Sequence, residues 1–271
     1  MTVRIEKNNA VWTIIHSRFE EARNAMDPES ADALVAALKT FDADPQASVA
    51  VLWGEGGAFC AGWDLKYASE LNDREKFDAE ITKGLAFPTG ANDAPRGPLG
   101  PTRLELSKPV IAAVEGPAVA GGMELALWCD IRVMAEDAYF GVYCRRWGIP
   151  LLDGGSVRLP RLVGQGRAME IILTGRKVPA QEALAIGMCE KLVEPGAARA
   201  AAEAMAQEIA RFPQAAVRAD RRTVHESYGQ PLRQAMRTEW HNGVEAHWVE
   251  GASGAGRFAG GLGRSGDFSK I

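Results

Sequence analysis

The chain has 271 residues, of which 46% are apolar and 24% charged, close to the average for a soluble globular protein. That composition excludes disorder, collagen and a disulfide scaffold as readings of the whole chain. The net charge of −4, from 31 basic and 35 acidic residues, gives no general attraction to nucleic acid or to an anionic membrane. A site for a polyanionic small molecule therefore needs its own local positive charge.

The N-terminus, Met1 to Lys7, carries no apolar core of the kind a signal peptide has, and no apolar stretch is long enough for a membrane span. Val11-Trp12-Thr13-Ile14-Ile15 is apolar and β-branched and reads as a strand. Asp27-Pro28-Glu29-Ser30 follows as N-cap, first-turn proline and acidic turn, before a helical stripe of Leu34, Val35, Leu38 and Phe41 that Asp44-Pro45 stops. Ser48–Trp53, Pro109–Val114 and Ile131–Ala135 are three buried-type strands. Between the first two, residues 67–105 hold a charged, partly helical piece (Glu70 to Lys83) and a Pro/Gly stretch through Phe87–Gly90 and Pro95–Pro101, the composition of a lid or mobile insert. Strands alternating with helices predict an α/β domain with a largely parallel sheet.

Beyond about residue 196, Ala197–Arg211, Pro213–Tyr228 and Pro231–Val249 read as three helices. The chain is accordingly divided into a core of residues 1–195 and a C-terminal helical region, 196–271. The last of the three helices carries Leu232, Met236, Trp240, Val244 and Trp248 at helical spacing. On the bare pattern this stripe closes the domain; contact with another subunit is the alternative. The four cysteines, Cys60, Cys129, Cys144 and Cys189, lie far apart with no CxxC pair, which suits reduced thiols and a cytoplasmic protein.

Two glycine-containing loops follow buried strands, Gly56–Leu65 and Gly116–Leu125, where open α/β sheets bind ligands. The second opens a helix, so free N–H groups and the positive end of the helix dipole meet at Gly121-Gly122. Small residues there let a substrate approach the backbone, the requirement for an oxyanion hole. Glu124, one turn in, is placed to act as a base; equally, the glycines make tight turns and Glu124 complements the dipole. No GxGxxG, GxxxxGK[ST] or GxSxG motif and no His/Cys spacing suited to zinc is present, and His16, His225, His241 and His247 are scattered.

Read together, Ala22–Met26, Ala58–Leu65, Lys108–Ala118, Gly121–Leu125, Gly154–Arg161, Leu173–Gly175 and Ala183–Gly187 resemble the enoyl-CoA hydratase/isomerase (crotonase) superfamily. The resemblance implies a crotonase-like α/β fold of repeated ββα units, with a C-terminal helical region that builds a homotrimer or hexamer. It moves the reading of the final stripe toward oligomer contact. It also implies acyl-CoA thioester substrates, with coenzyme A as part of the substrate and no separate cofactor, metal or nucleic acid. The implied oxyanion donors are the N–H groups of Trp63 and Gly121, with Gly122 beside them. Ala22, Arg23, Ala61, Asp64 and Leu65 fall at the adenine and pantetheine contacts, where Arg23 can meet phosphate. Arg257-Phe258 resembles a segment that reaches the cofactor moiety in some members.

The pattern breaks at one place. Hydratases of this family use two glutamates, one activating water and one managing the proton at the α-carbon; Glu124 matches the first, and Cys144 stands where the second is expected. A neutral thiol is a poor replacement for a carboxylate in proton transfer. Asp153, just before Gly154-Gly155, is the available substitute, as in several family members; as a bare pattern it is equally a turn aspartate. Tyr143 and Trp147 read as packing residues. Three functions follow: an enoyl-CoA hydratase-like lyase with Glu124 as acid/base and Asp153 assisting, a double-bond isomerase needing one carboxylate, or a non-catalytic acyl-CoA or RNA-binding protein. The acidic balance opposes RNA, the two loops with Glu124 favour chemistry over a binding role, and the missing second glutamate favours the isomerase; the lyase is taken as the family's default.

Overall fold

The computed structural model describes residues 2–89, 94–263 and 266. Strand β1 (Val3–Asn8) turns through Asn9, at φ +53°, into the antiparallel β2 (Val11–His16), and α1 (Phe19–Ala22) and α2 (Pro28–Ala43) follow. Next come β3 (Val49–Gly54), α3 (Leu65–Ser69) and α4 (Arg74–Phe77), the last running into a π-helical turn at Asp78–Lys83. After β4 (Val110–Val114) and β5 (Pro117–Val119), α5 (Gly121–Trp128) leads to β6 (Ile131–Ala135) and β7 (Tyr139–Gly141). The chain continues through α6 (Gly155–Val163), α7 (Gln165–Thr174), β8 (Lys177–Pro179), α8 (Ala180–Ile186) and β9 (Lys191–Val193). Four helices end it: α9 (Ala198–Ala210), α10 (Gln214–Ser227), α11 (Leu232–Ala246) and α12 (Ala252–Ala259).

The main sheet has the order β1-β2-β3-β4-β6-β9 and is parallel except for the β1/β2 hairpin. Strand side chains alternate between its two faces, and both faces are covered. Trp12, Ile14, Ala50, Leu52, Val110 and Ala112 point into the core shared with α2 and α5. Val11, Val49, Val51, Ile111, Ala113 and Val133 point the other way, onto Ala202 and Ala206 of α9. Alanines four apart let that helix lie close to the sheet. A second, three-stranded sheet, β5-β7-β8, stands over the first core.

The sequence signals at α2 hold at atomic detail: the Asp27 carboxylate accepts the Ser30 N–H at 2.8 Å, and Pro28 opens the helix. Strand β1 carries no run of apolar residues and is not evident from pattern; its alternation of Val3 and Ile5 with Arg4 and Glu6 suits the edge it occupies. The Glu70–Lys83 piece is helical only from Arg74, and Gly90 of the Pro/Gly stretch lies outside the described residues.

Helix α10 is tied to the core by charge. Arg221 and His225 both reach the Asp130 carboxylate at 2.9 Å, and Arg221 also donates to the Leu106 carbonyl. The stripe on α11 and the turn after it does not close the domain: Leu232 and Trp248 are each 77% exposed and Trp240 is 67% exposed. Helices α2 and α9 already cover the two sheet faces, leaving no core for the stripe to enter. Among the described residues no helix is long and apolar enough to cross a membrane. All four cysteines are free and buried.

Candidate active site

The loops after β3 and β4 are laced together. The Cys60 N–H donates to the Pro117 carbonyl at 3.2 Å, and the Val119 N–H donates to the Cys60 carbonyl at 3.0 Å. Gly62, at φ +95°, is where the two touch: a Cβ there would stand 2.9 Å from the Ala120 Cβ and 3.1 Å from the Gly121 nitrogen. Only glycine permits both that backbone angle and that approach. Trp63 is held on its other side by Met26, whose N–H bonds the Gly62 carbonyl and whose carbonyl takes the Asp64 N–H, both at 2.8 Å.

Ala120 adopts φ +53°, ψ −124°, a costly conformation for a residue with a side chain. Its N–H is fixed on the Gly141 carbonyl at 2.7 Å, and the bend starts α5 at Gly121. The backbone is thereby set before any ligand arrives. Among the described residues neither the Trp63 N–H nor the Gly121 N–H has an acceptor in the chain.

Both residues line a cavity of about 320 Å³. Its walls are mostly apolar, with Trp63, Phe77, Ile81, Leu99, Trp147 and Leu152 among them, and its polar groups include Glu124, Asp153 and Cys144. Tyr143 and Trp147, read from sequence as packing residues, belong to this wall, and Trp147 is 65% exposed. Both sit on a 3-10 turn at Tyr143–Trp147, where the Tyr143 ring also packs beside Tyr139 of β7, ring centroids 6.1 Å apart.

Glu124 and Asp153 are buried side chains on facing elements. Oε1 of Glu124 accepts the N–H of Asp153 at 2.9 Å and that of Gly155 at 2.8 Å. Burial, followed by the charge of Asp153, pushes the Glu124 carboxyl up to about 8, against the pull of those two N–H groups. Asp153 is raised by burial as well. It is restrained by the Thr102 hydroxyl and the Leu99 N–H, which donate to Oδ1, the latter at 3.0 Å, and by the charges of Arg103 and Arg158. Among the described residues, the hydrogen bonds to each carboxyl group fall on one oxygen, Oε1 of Glu124 and Oδ1 of Asp153. The Cys144 thiol is raised by burial and by Glu124, so it is neutral at physiological pH.

The Pro/Gly stretch is thus more than a cover. Its Gly97 and Gly100 exchange backbone hydrogen bonds at 2.9 Å, and the turn they make delivers Leu99 and Thr102 to Asp153. Gly97 has no room for a side chain, since a Cβ would collide with Thr102 Oγ1 and Asp153 Oδ1. Arg158 completes the support, donating to the Asp153 carbonyl at 2.9 Å and the Thr102 carbonyl at 2.8 Å. Sequence reasoning missed Leu99, Thr102 and Arg158. Thr102 lies in a segment without periodicity, and Arg158 stands in the quoted Gly154–Arg161 motif without a role attached.

Of the sequence-proposed positions, Ala61, Trp63, Leu65, Gly121, Glu124, Cys144 and Asp153 meet at the cavity. The rest do not line it. Asp64 caps α3 through Lys66 N–H at 2.8 Å and pairs with Arg18 at 3.1 Å, so its carboxylate is occupied. Gly122 packs so tightly on the Cys60 carbonyl that a Cβ would overlap it. Ala22 precedes Arg23, which is exposed and left-handed at φ +50°; the Arg23 carbonyl takes the Ala61 N–H at 3.2 Å, placing it beside the cavity wall. Arg257 and Phe258 lie on α12, outside the cavity lining. His16 is buried edge-on to Phe59 and pushed down to about 4 by burial, a neutral core residue. Among the described residues no group of three His, Cys, Asp or Glu is placed to hold a metal ion.

Comparison with known proteins places this geometry. The family model described as enoyl-CoA hydratase/isomerase matches residues 6–92 and 96–251. Enoyl-CoA hydratase EchA19 of Mycobacterium tuberculosis is 34% identical, over 83% of this chain and 80% of that protein. The (E)-benzylidenesuccinyl-CoA hydratase of Thauera aromatica is 35% identical, over 78% of this chain and 77% of that protein. The crystal structure of enoyl-CoA hydratase EchA1 from Mycobacterium marinum superposes with a TM-score of 0.83 at 35% identity, covering 95% of both chains.

Proposed function

The chain belongs to the enoyl-CoA hydratase/isomerase family, and we propose that its apolar cavity holds the acyl part of an acyl-CoA thioester whose carbonyl oxygen meets the N–H groups of Trp63 and Gly121. It is an enoyl-CoA hydratase-like enzyme, a hydro-lyase. The observation that carries the site assignment is the pairing of Glu124 with Asp153 beside two N–H groups that have no acceptor among the described residues.

In hydration, the Asp153 carboxylate takes a proton from water as its oxygen bonds to the β-carbon. The electron pair of the double bond moves to the thioester oxygen, where the two N–H groups and the α5 dipole hold the enolate. Glu124, protonated at neutral pH by its burial, gives its proton to the α-carbon. This division makes Glu124 the acid of the pair, the reverse of the water-activating role the sequence suggests: the charge of Asp153 adds to the rise of Glu124, whereas the Thr102 hydroxyl, the Leu99 N–H and two arginines oppose the rise of Asp153. Coenzyme A enters only as part of the substrate, with Arg23 as the candidate partner for its phosphates.

A second reading, double-bond isomerisation, is favoured by Cys144: with a neutral thiol in place of a second glutamate, one carboxyl shuttling a proton between carbons suffices. The exposed stripe of α11 supports a homotrimer or hexamer, since so large an apolar surface on a lone subunit marks a contact site. Four free, buried cysteines suit a cytoplasmic enzyme.

The test follows absorbance of a 2-enoyl-CoA and a 3-enoyl-CoA with wild type, Glu124→Ala and Asp153→Ala. Loss of 2-enoyl absorbance in wild type and in neither variant supports hydration by the pair. Turnover of the 3-enoyl substrate alone, surviving Asp153→Ala, selects the isomerase. Silence on both overturns the reading for simple acyl groups.

A further inference from the structure

A second cavity of about 350 Å³ adjoins the acyl cavity. Trp63, Ile81 and Pro98 line both, so these three side chains form the partition between them. The indole of Trp63 packs edge-on against Tyr67, ring centroids 5.9 Å apart, which holds it in the dividing position. The two compartments differ in chemistry. The first is walled by aromatic and aliphatic side chains; the second also carries Asp32, Tyr67, Glu80 and Arg96.

Those four groups are arranged in two pairs. Arg96 is paired with Asp32, and the Tyr67 hydroxyl donates to Oε2 of Glu80. Two carboxylates against one guanidinium leave the compartment with one uncompensated negative charge, on Glu80. Its Oε1 takes no hydrogen bond from the described residues and remains free as an acceptor. Burial and the adjacent Glu80 push the Tyr67 phenol up to about 12, so it remains a neutral hydroxyl. A negatively charged end group is opposed there; a hydrogen-bond donor is favoured.

Resting on the reading of the first cavity as the acyl site, we propose that the two cavities form one two-compartment acyl site, in which the distal end of the acyl group passes the Trp63–Ile81–Pro98 partition. Its end group is a hydrogen-bond donor, a hydroxyl, which binds Glu80. The substrate class is then a medium-chain acyl thioester with a distal hydroxyl, and Glu80 is a specificity-determining residue remote from the reacting carbons.

Binding and turnover are measured separately. Calorimetry gives the Kd of octanoyl-CoA, its terminal-hydroxyl analogue and its terminal-carboxylate analogue, none of which carries the double bond, for wild type and Glu80→Ala. The expected result is binding of the hydroxyl analogue about tenfold tighter than octanoyl-CoA and of the carboxylate analogue about tenfold weaker, a hydrogen bond to a charged group being large enough for this. Glu80→Ala is expected to remove both differences while binding octanoyl-CoA as wild type does, which also reports that the variant is folded. Equal Kd values in wild type, a preference that survives Glu80→Ala, or no binding of any of the three overturns the proposal. Hydration of the matching 2-enoyl thioesters tests the enzymatic reading alone: binding with the expected preference but no hydration leaves the second compartment standing and removes the proposed reaction.

Discussion

The N–H of Asp153 donates to Oε1 of Glu124 at 2.9 Å. The backbone of one carboxyl-bearing residue therefore positions the side chain of the other, whose pKa the charge of Asp153 also raises. Replacement of either is expected to disable the same step. Glu124→Gln and Asp153→Asn are each expected to lower kcat by about a thousandfold, and the double variant by little more than either single one. Steady-state kinetics of the four proteins check this; multiplicative losses in the double variant would show that the residues act independently.

The raised pKa of Glu124 sets the direction of two pH effects. With the acid form required, kcat is expected to fall as pH rises through about 8. Stability follows the same sign. The folded chain holds the Glu124 proton up to about 8, whereas the unfolded chain releases it near the ordinary glutamate value. This contribution is full at low pH and is lost as pH rises through that window. Glu124→Gln, which cannot ionise, is expected to match wild type in thermal unfolding near pH 5 and to exceed it by a few degrees at pH 9. A constant difference in Tm across that range would refute the assignment.

Thr102 is expected to act through Asp153, as a positioning residue. Removing its hydroxyl in Thr102→Val takes away a donor that favours the ionised carboxylate. The expected outcome is a kcat about tenfold lower, with the acidic limb of the pH profile moved to higher pH, and recovery of both in Thr102→Ser. A fall in kcat with an unmoved profile would assign Thr102 to packing alone.

Most of the scaffold for this site can be read from residues whose physics is local. The apolar runs that become β3, β4 and β6, the Asp27-Pro28 cap of α2 and the paired glycines that open α5 each announce themselves within a few positions. So does Glu124, whereas Asp153 is picked out only by resemblance to family members that place an aspartate before this glycine pair, its local pattern being equally that of a turn. The three-residue strands β5, β7 and β8 do not, because their pairing depends on partners distant in sequence. The same holds for Thr102, which is 51 residues from the carboxylate it serves. At Asp64 the motif suggests a substrate contact, and the structure adds what sequence does not show: its carboxylate is engaged by the α3 cap and Arg18.

The stripe on α11 gives a prediction about assembly. Trp240 and Trp248 are exposed on one subunit, and a charge on either in a subunit contact would be stranded without water. If the proposed homotrimer or hexamer forms through this stripe, Trp240→Glu and Trp248→Glu are expected to yield monomer where the unaltered protein yields the assembly, read by light scattering after size exclusion, with the fold retained by circular dichroism. An unchanged mass in both variants would place the contact elsewhere.

Glycine substitutions separate close approach from chain flexibility. At Gly122 a methyl group would overlap the Cys60 carbonyl, and that backbone cannot retreat because Cys60 is bonded to Pro117 and Val119 on both sides. Gly122→Ala is therefore expected to cost about 1–3 kcal/mol, the usual penalty of overpacking. Gly166, in the first turn of α7, is the contrast: a Cβ there meets nothing within 4 Å. Gly166→Ala loses no contact and restricts the unfolded chain, so a gain of about 0.5–1 kcal/mol is expected. Denaturant unfolding of both variants should move the midpoints in opposite directions. Because Gly122 also fixes the distance between the Trp63 and Gly121 loops, Gly122→Ala should lose far more activity than its stability loss explains, whereas Gly166→Ala should retain wild-type kcat/KM. Parallel losses of activity and stability at Gly122 would mean that the lacing of the two loops supports the fold but does not set the oxyanion geometry.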